Sequence, residues 1–162
     1  MLDLRKIEKL FIKEGNEFIR DLQTMMVQTG ANASGRTSAS LLNTVKKSDT
    51  NVSLTVDGGI GWAFVEQGRG ATKRGGRGEL RGIIRQWIDD KGITPDQGMT
   101  KDTLAFLITR AIHRRGTLLH FLGERRDIYT SVITEGAVKQ LLDNTGSIME
   151  KEISTDLVLQ LA

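Results

Sequence analysis

Apolar residues recur at helical spacing from the start of the chain, at Leu4, Ile7, Leu10, Phe11, Phe18, Leu22, Met25 and Met26. Positions three, four and seven apart share one face of a helix, so residues 3–28 read as one long amphipathic helix. Gly15 lies inside it, where glycine costs about 1 kcal/mol relative to alanine, and marks a bend. Thr29–Ser40 has almost no apolar content and reads as a loop, while Leu41–Lys47 fits either regular structure. Val52, Leu54 and Val56 then alternate with Ser53 and Thr55, the pattern of a half-buried strand. Asp57-Gly58 is a turn dipeptide, and Ile60, Trp62 and Phe64 alternate after it. The spacing therefore predicts a hairpin over 52–64, with Ile60, Trp62 and Phe64 facing the first helix.

Gly59–Ile93 combines this aromatic strand, which also carries Glu66, with a glycine- and arginine-rich loop and a short helix. Leu80, Ile83, Ile84, Trp87 and Ile88 give that helix its stripe, and Gly92 is its left-handed cap. Thr100 caps a further helix, whose stripe is Leu104, Leu107, Ile108, Ala111 and Ile112 and whose end is Gly116. Residues 117–123 read as a link, and a helix follows from about Glu124 to Leu142, broken by Asn144-Thr145-Gly146. Leu157, Leu159 and Leu161 alternate in the tail and suggest a strand. One domain over residues 1–146 and an interaction arm over 147–162 are expected. Residues 154–162 of that arm would add a strand to a neighbouring protein or dock in its groove.

At 162 residues the chain can bury a sizeable core, and with eight aromatics that core must be mostly aliphatic. No apolar run of 18 or more residues exists to span a membrane, and the N-terminus lacks a signal-peptide apolar region. Without cysteine there is no disulfide, thiolate nucleophile or cysteine-based zinc site, and synthesis in the cytosol is expected. Charge is segregated. Residues 1–67 are neutral, residues 68–92 and 110–126 each carry +4, and residues 127–162 carry −4. A basic middle and an acidic end permit attraction between copies, or between the middle and nucleic acid.

Catalytic chemistry is not visible. The glycines of 68–78 match neither GxGxxG nor GxxxxGK[ST], since Lys73 is followed by Arg74. His113 and His120 lack the further ligands a closed zinc site requires, and His120 reads as a partly buried histidine with one hydrogen bond. Asp89-Asp90 point in different directions on a helix, and Ser34, Ser38 and Ser40 have no base. No enzyme, cofactor or metal site is expected. Arg69, Lys73, Arg74 and Arg77 form a basic loop over residues 68–78, expected to be mobile in a free subunit and to order against an anionic surface. No aromatic is interleaved, so any nucleic-acid contact would be sequence-independent and salt-sensitive.

Four segments in order carry a family likeness: TGANASGRTSASLLNTV, GGIGWAFVEQGRG, LRGIIRQWIDDKGI and LAFLITRAIHRRGTLLHFL. Over about residues 29–140 the chain resembles the neck and tail-completion proteins of tailed bacteriophages. Trp62-Ala63-Phe64-Val65-Glu66-Gln67-Gly68 is similar to that family's aromatic core segment, and Trp87-Ile88-Asp89-Asp90-Lys91-Gly92-Ile93 to its later helix end. The family's proline near the hydrophobic link is absent, with Leu118-Leu119 in its place. The resemblance implies an α+β fold, a small antiparallel sheet with a central hairpin packed by a long N-terminal helix and several further helices. It also implies a non-enzymatic ring of six or twelve copies in the virion, joining head to tail around the DNA channel. Portal or adaptor proteins, tail proteins and the channel DNA would be its partners.

Overall fold

The computed structural model describes residues 4–72, 78–96 and 98–161, with side chains as far as residue 154. The fold is α+β, as expected, with a long N-terminal helix laid across a two-stranded antiparallel sheet. Helix α1 spans Arg5–Gln28 and buries Ile7, Gly15, Leu22 and Met26 along one line. Short α2, Arg36–Ala39, interrupts the segment expected to be all loop.

The hairpin pairs β1, Leu42–Lys47, with β2, Val52–Asp57, placing Val45 opposite Leu54. Val52, Leu54 and Val56 are half-buried and alternate with exposed Ser53, Thr55 and Asp57, as the two-residue period demands. On β1 the ambiguous run becomes a strand because its Asn43, Val45 and Lys47 share that inner face. Asn43 donates from Nδ2 to Asn16 Oδ1 at 2.8 Å, and Lys47 pairs with Glu8 at 3.0 Å, tying the strand to α1.

Gly15 is where the hairpin meets α1. A Cβ there would lie 2.8 Å from both Asn43 Nδ2 and Leu54 Cδ1. The glycine is therefore a contact surface inside a continuous helix. Gly15→Ala should lose about 1–3 kcal/mol to overpacking, outweighing the roughly 1 kcal/mol of helix propensity gained. Urea denaturation decides the sign, and a more stable variant would contradict this packing.

The expected 52–64 hairpin is corrected. Ile60–Phe64 forms a 3-10 turn, closed by Trp62 N–H donating to the Gly59 carbonyl at 2.8 Å and Val65 N–H to the Trp62 carbonyl at 3.3 Å. Those local bonds take amides that a strand ladder would use, and β2 already pairs with β1. A three-residue turn also separates side chains that a strand would align. Ile60 is 86% exposed and Phe64 40%, while only Trp62 packs against the core. Its ring meets Tyr129 edge-on, with centroids 5.6 Å apart. That core comprises Leu22, Met26, Leu41, Val65 and Ile128.

Helices α3, Glu79–Asp90, and α4, Lys101–Arg115, pair as a second layer around Ile88, Ala105 and Ile112. Their ends follow the expected caps: Gly92 has φ 63°, Thr100 accepts from Thr103 N–H at 3.1 Å, and Gly116 ends α4. Segment 117–123 is not a plain link but contains α5, Leu118–Leu122. The helix expected over 124–142 is divided into α6, Ile128–Val132, and α7, Glu135–Leu161, where Thr134 Oγ1 accepts from Ala137 N–H at 3.1 Å.

Helix α7 runs through Asn144-Thr145-Gly146, so neither the break nor the terminal strand is present. Ala137, Leu141, Thr145, Ile148 and Glu152 are half-buried at helical spacing, α7 packs on α1, and Lys6 pairs with Glu152. This tertiary contact overrides one glycine's cost of about 1 kcal/mol. Among the described residues no helix is long and apolar enough to cross a membrane.

Candidate functional site

The segment after the 3-10 turn positions everything around the candidate site. Val65 enters the core, and Glu66 beside it is a fully buried carboxylate. Its Oε2 accepts from the backbone N–H of Tyr129 at 2.9 Å and of Thr130 at 3.3 Å. Its Oε1 accepts from Arg125 Nη2 at 2.6 Å and from the Thr130 hydroxyl at 3.1 Å. Glu66 thus caps α6 from a distant part of the chain, at the helix end where negative charge is favoured. Burial alone would raise its pKa, but the bonds from Arg125, Tyr129 and Thr130 prevail and hold it below the usual glutamate value.

Beyond Glu66 the chain lies against the end of α4 as a strap. Arg69 N–H donates to Thr117 Oγ1 at 2.9 Å, and Thr117 N–H returns a bond to the Arg69 carbonyl at 2.8 Å. Thr72 N–H donates to the His113 carbonyl at 3.1 Å, and the Thr72 hydroxyl shares a 2.5 Å hydrogen bond with His113 Nδ1. Close approach is possible because Gly116 has φ 86° and presents bare backbone to the Arg69 carbonyl. The expectation of a free loop is corrected for residues 69–72, which are pinned by these four bonds. Lys73, Arg74 and Arg77 lie outside the described residues.

Strap, 3-10 turn, α3, α4 and α5 together wall an apolar groove of about 530 Å³. Ile84 and Trp87 of α3 face Ile108 and Ile112 of α4 across it, and Phe64, Leu118 and Phe121 complete its side. Leu118 is 71% and Phe121 57% exposed, so this surface is largely uncovered in a single subunit. Arg115 and Arg126 stand on its rim, with the Arg115 guanidinium 5.5 Å from the Phe121 ring centroid. Arg110 and Arg114 are exposed nearby on α4.

Of the expected partner-facing residues, Arg69 is half-buried with its backbone in the strap. Leu157, Leu159 and Leu161 fall within the α7 backbone, their side chains outside the described part. The half-buried, hydrogen-bonded histidine is His113; His120 is exposed, its ring against the backbone of Gly70 and Gly116. Asp89 bonds Lys101 at 2.6 Å and pairs with Arg85, and Asp90 bonds Gln86 at 3.1 Å and Arg36 at 2.6 Å. Those partners hold both carboxyls below their ordinary value and join α3 to α4 and α2. Among the described residues no three His, Asp or Glu side chains gather to hold a metal ion.

The groove and Glu66 were not legible as a site. The groove is assembled from segments up to 62 residues apart, Phe64 to Arg126, which no periodicity connects. The one signal for Glu66 was an acid within the apolar run WAFVEQG, which demands a cationic or amide partner if buried. Comparison of the chain with protein-family models, with curated proteins and with solved structures gave no match.

Proposed function

We propose that this chain is a non-enzymatic structural protein that works as a homo-oligomeric ring in the head–tail connector of a tailed bacteriophage virion. The observation that carries the proposal is the uncovered apolar groove with arginines on its rim. A lone soluble subunit gains nothing from leaving Leu118, Phe121 and part of Trp87 in water, whereas a neighbour that covers them gains hydrophobic contact. Three of the four family-like segments coincide with elements that shape this region. Trp62–Gly68 forms the 3-10 turn and the Glu66 clamp, Trp87 lines the groove, and Gly116-Thr117 seats the strap. Portal or adaptor proteins, tail proteins and the DNA of the channel are the partners this role entails.

A sequence-independent nucleic-acid-binding module is the second reading, favoured by Arg110, Arg114 and Arg126, which have no acidic partner among the described residues. Negative-stain electron microscopy of the purified chain, with gel shifts on random DNA, separates the two. Rings with a central hole are expected. Monomers that retard DNA, increasingly so as salt is lowered, would replace the connector role with the module.

A further inference from the structure

We propose that the groove is filled by helix α7 of a second copy, head to tail. Besides the face that α7 spends on α1, it carries a second apolar stripe: Val138, Leu142, Met149 and Ile153, which are 42%, 61%, 37% and 52% exposed. At 3.6 residues per turn these four lie within roughly 60° of arc, about a quarter turn from the α1-facing residues. Such spacing marks a helix face built for contact, since isolated exposed apolar residues would scatter around the axis.

The chain supplies both halves of the contact. Glu135, Asp143 and Glu150 flank the stripe on its outer side, with Lys139 among them, while Arg115 and Arg126 rim the groove. The same opposition holds for whole segments: residues 110–126 carry +4 and residues 127–162 carry −4. A helix laid into the groove would set its apolar stripe on Trp87, Leu118 and Phe121 and its acids beside the arginines. This is the helix-in-groove mode of recognition. Because stripe and groove are different surfaces, the contact is heterologous, and repeating it generates a closed ring or an open filament. The inference takes from the proposed function only that copies associate.

Mixing two disabled chains tests it. One carries Leu118→Glu and Phe121→Glu in the groove, and the other Leu142→Glu and Ile153→Glu on the stripe. Each change falls at a residue more than half exposed, and circular dichroism with thermal melts verifies folding. The corresponding serine substitutions serve wherever a glutamate variant does not fold. Light scattering coupled to size exclusion should find the parent assembled and each variant alone monomeric. A one-to-one mixture should give a heterodimer and nothing larger, since only one intact interface then remains. Raising ionic strength should dissociate the heterodimer. Variants that assemble like the parent, or a mixture that stays monomeric, would overturn the α7 contact while leaving ring formation standing. A parent that is monomeric at every concentration would overturn both.

Discussion

Glu66→Ala is expected to lower stability by about 3 kcal/mol, near the low end for removing one partner of a buried ion pair. The low end applies because Arg125 is 48% exposed and its charge can return to water. What cannot recover is the start of α6, where the amides of Tyr129 and Thr130 lose their acceptor. Glu66→Gln keeps an acceptor and should lose less. The pH dependence follows from the lowered pKa. A proton binds the unfolded chain more readily than the folded one, so the contribution is complete above the ordinary glutamate value of 4.5. It fades as pH falls through the lower folded value. Urea midpoints in this acid range should fall more steeply for the parent than for Glu66→Gln. Parallel pH profiles would show that the carboxylate contributes nothing of this kind.

Gly116→Ala is the second large effect, with an expected loss of about 3 kcal/mol. At φ 86° and ψ −177° the backbone occupies a region that is essentially glycine's own. The added Cβ would also lie 2.6 Å from the Arg69 carbonyl oxygen, a backbone atom that cannot swing aside. Relief requires the strap to leave α4, so the variant should be cleaved faster by trypsin after Arg69 as well as melting lower. An unchanged midpoint and an unchanged cleavage rate would contradict the strap. Since Gly116 itself lines the groove and the strap borders it, this substitution should also weaken assembly, although it leaves the α7 stripe untouched.

What was legible from sequence divides along a physical line. Helices α1, α3 and α4 were readable because each carries a long periodic stripe, and Gly92, Thr100 and Gly116 supply local chemistry at their ends. Where the outcome depended on a partner elsewhere, local pattern failed. Ile60, Trp62 and Phe64 alternate like a strand, yet β2 had a nearer partner in β1. Asn144-Thr145-Gly146 looks like a break, yet Leu141, Thr145 and Ile148 share the face that meets α1. The basic loop drew attention by composition, whereas the groove beside it is made by three-dimensional convergence alone.

The paired helices α3 and α4 have a further consequence. Among the described residues they bury Ile88, Ala105 and Ile112 alone, while Leu22, Met26 and Ile128 belong to the body built on α1. Between the two run the strap, the Arg36–Asp90 pair and the bond from Lys91 Nζ to the Asn32 carbonyl. So small a nucleus is expected to open as a separate cooperative unit while the α1 body stays closed, which hydrogen exchange would register as faster exchange in α3 and α4 than in α1. The groove straddles that seam, with Trp87 on one side and Phe64 on the other. Anything seated there binds the closed form alone and raises the free energy of opening by mass action. In an assembly, each subunit's second unit would then be made rigid by its neighbour, and completing the quaternary structure would also complete the folding of the protomer.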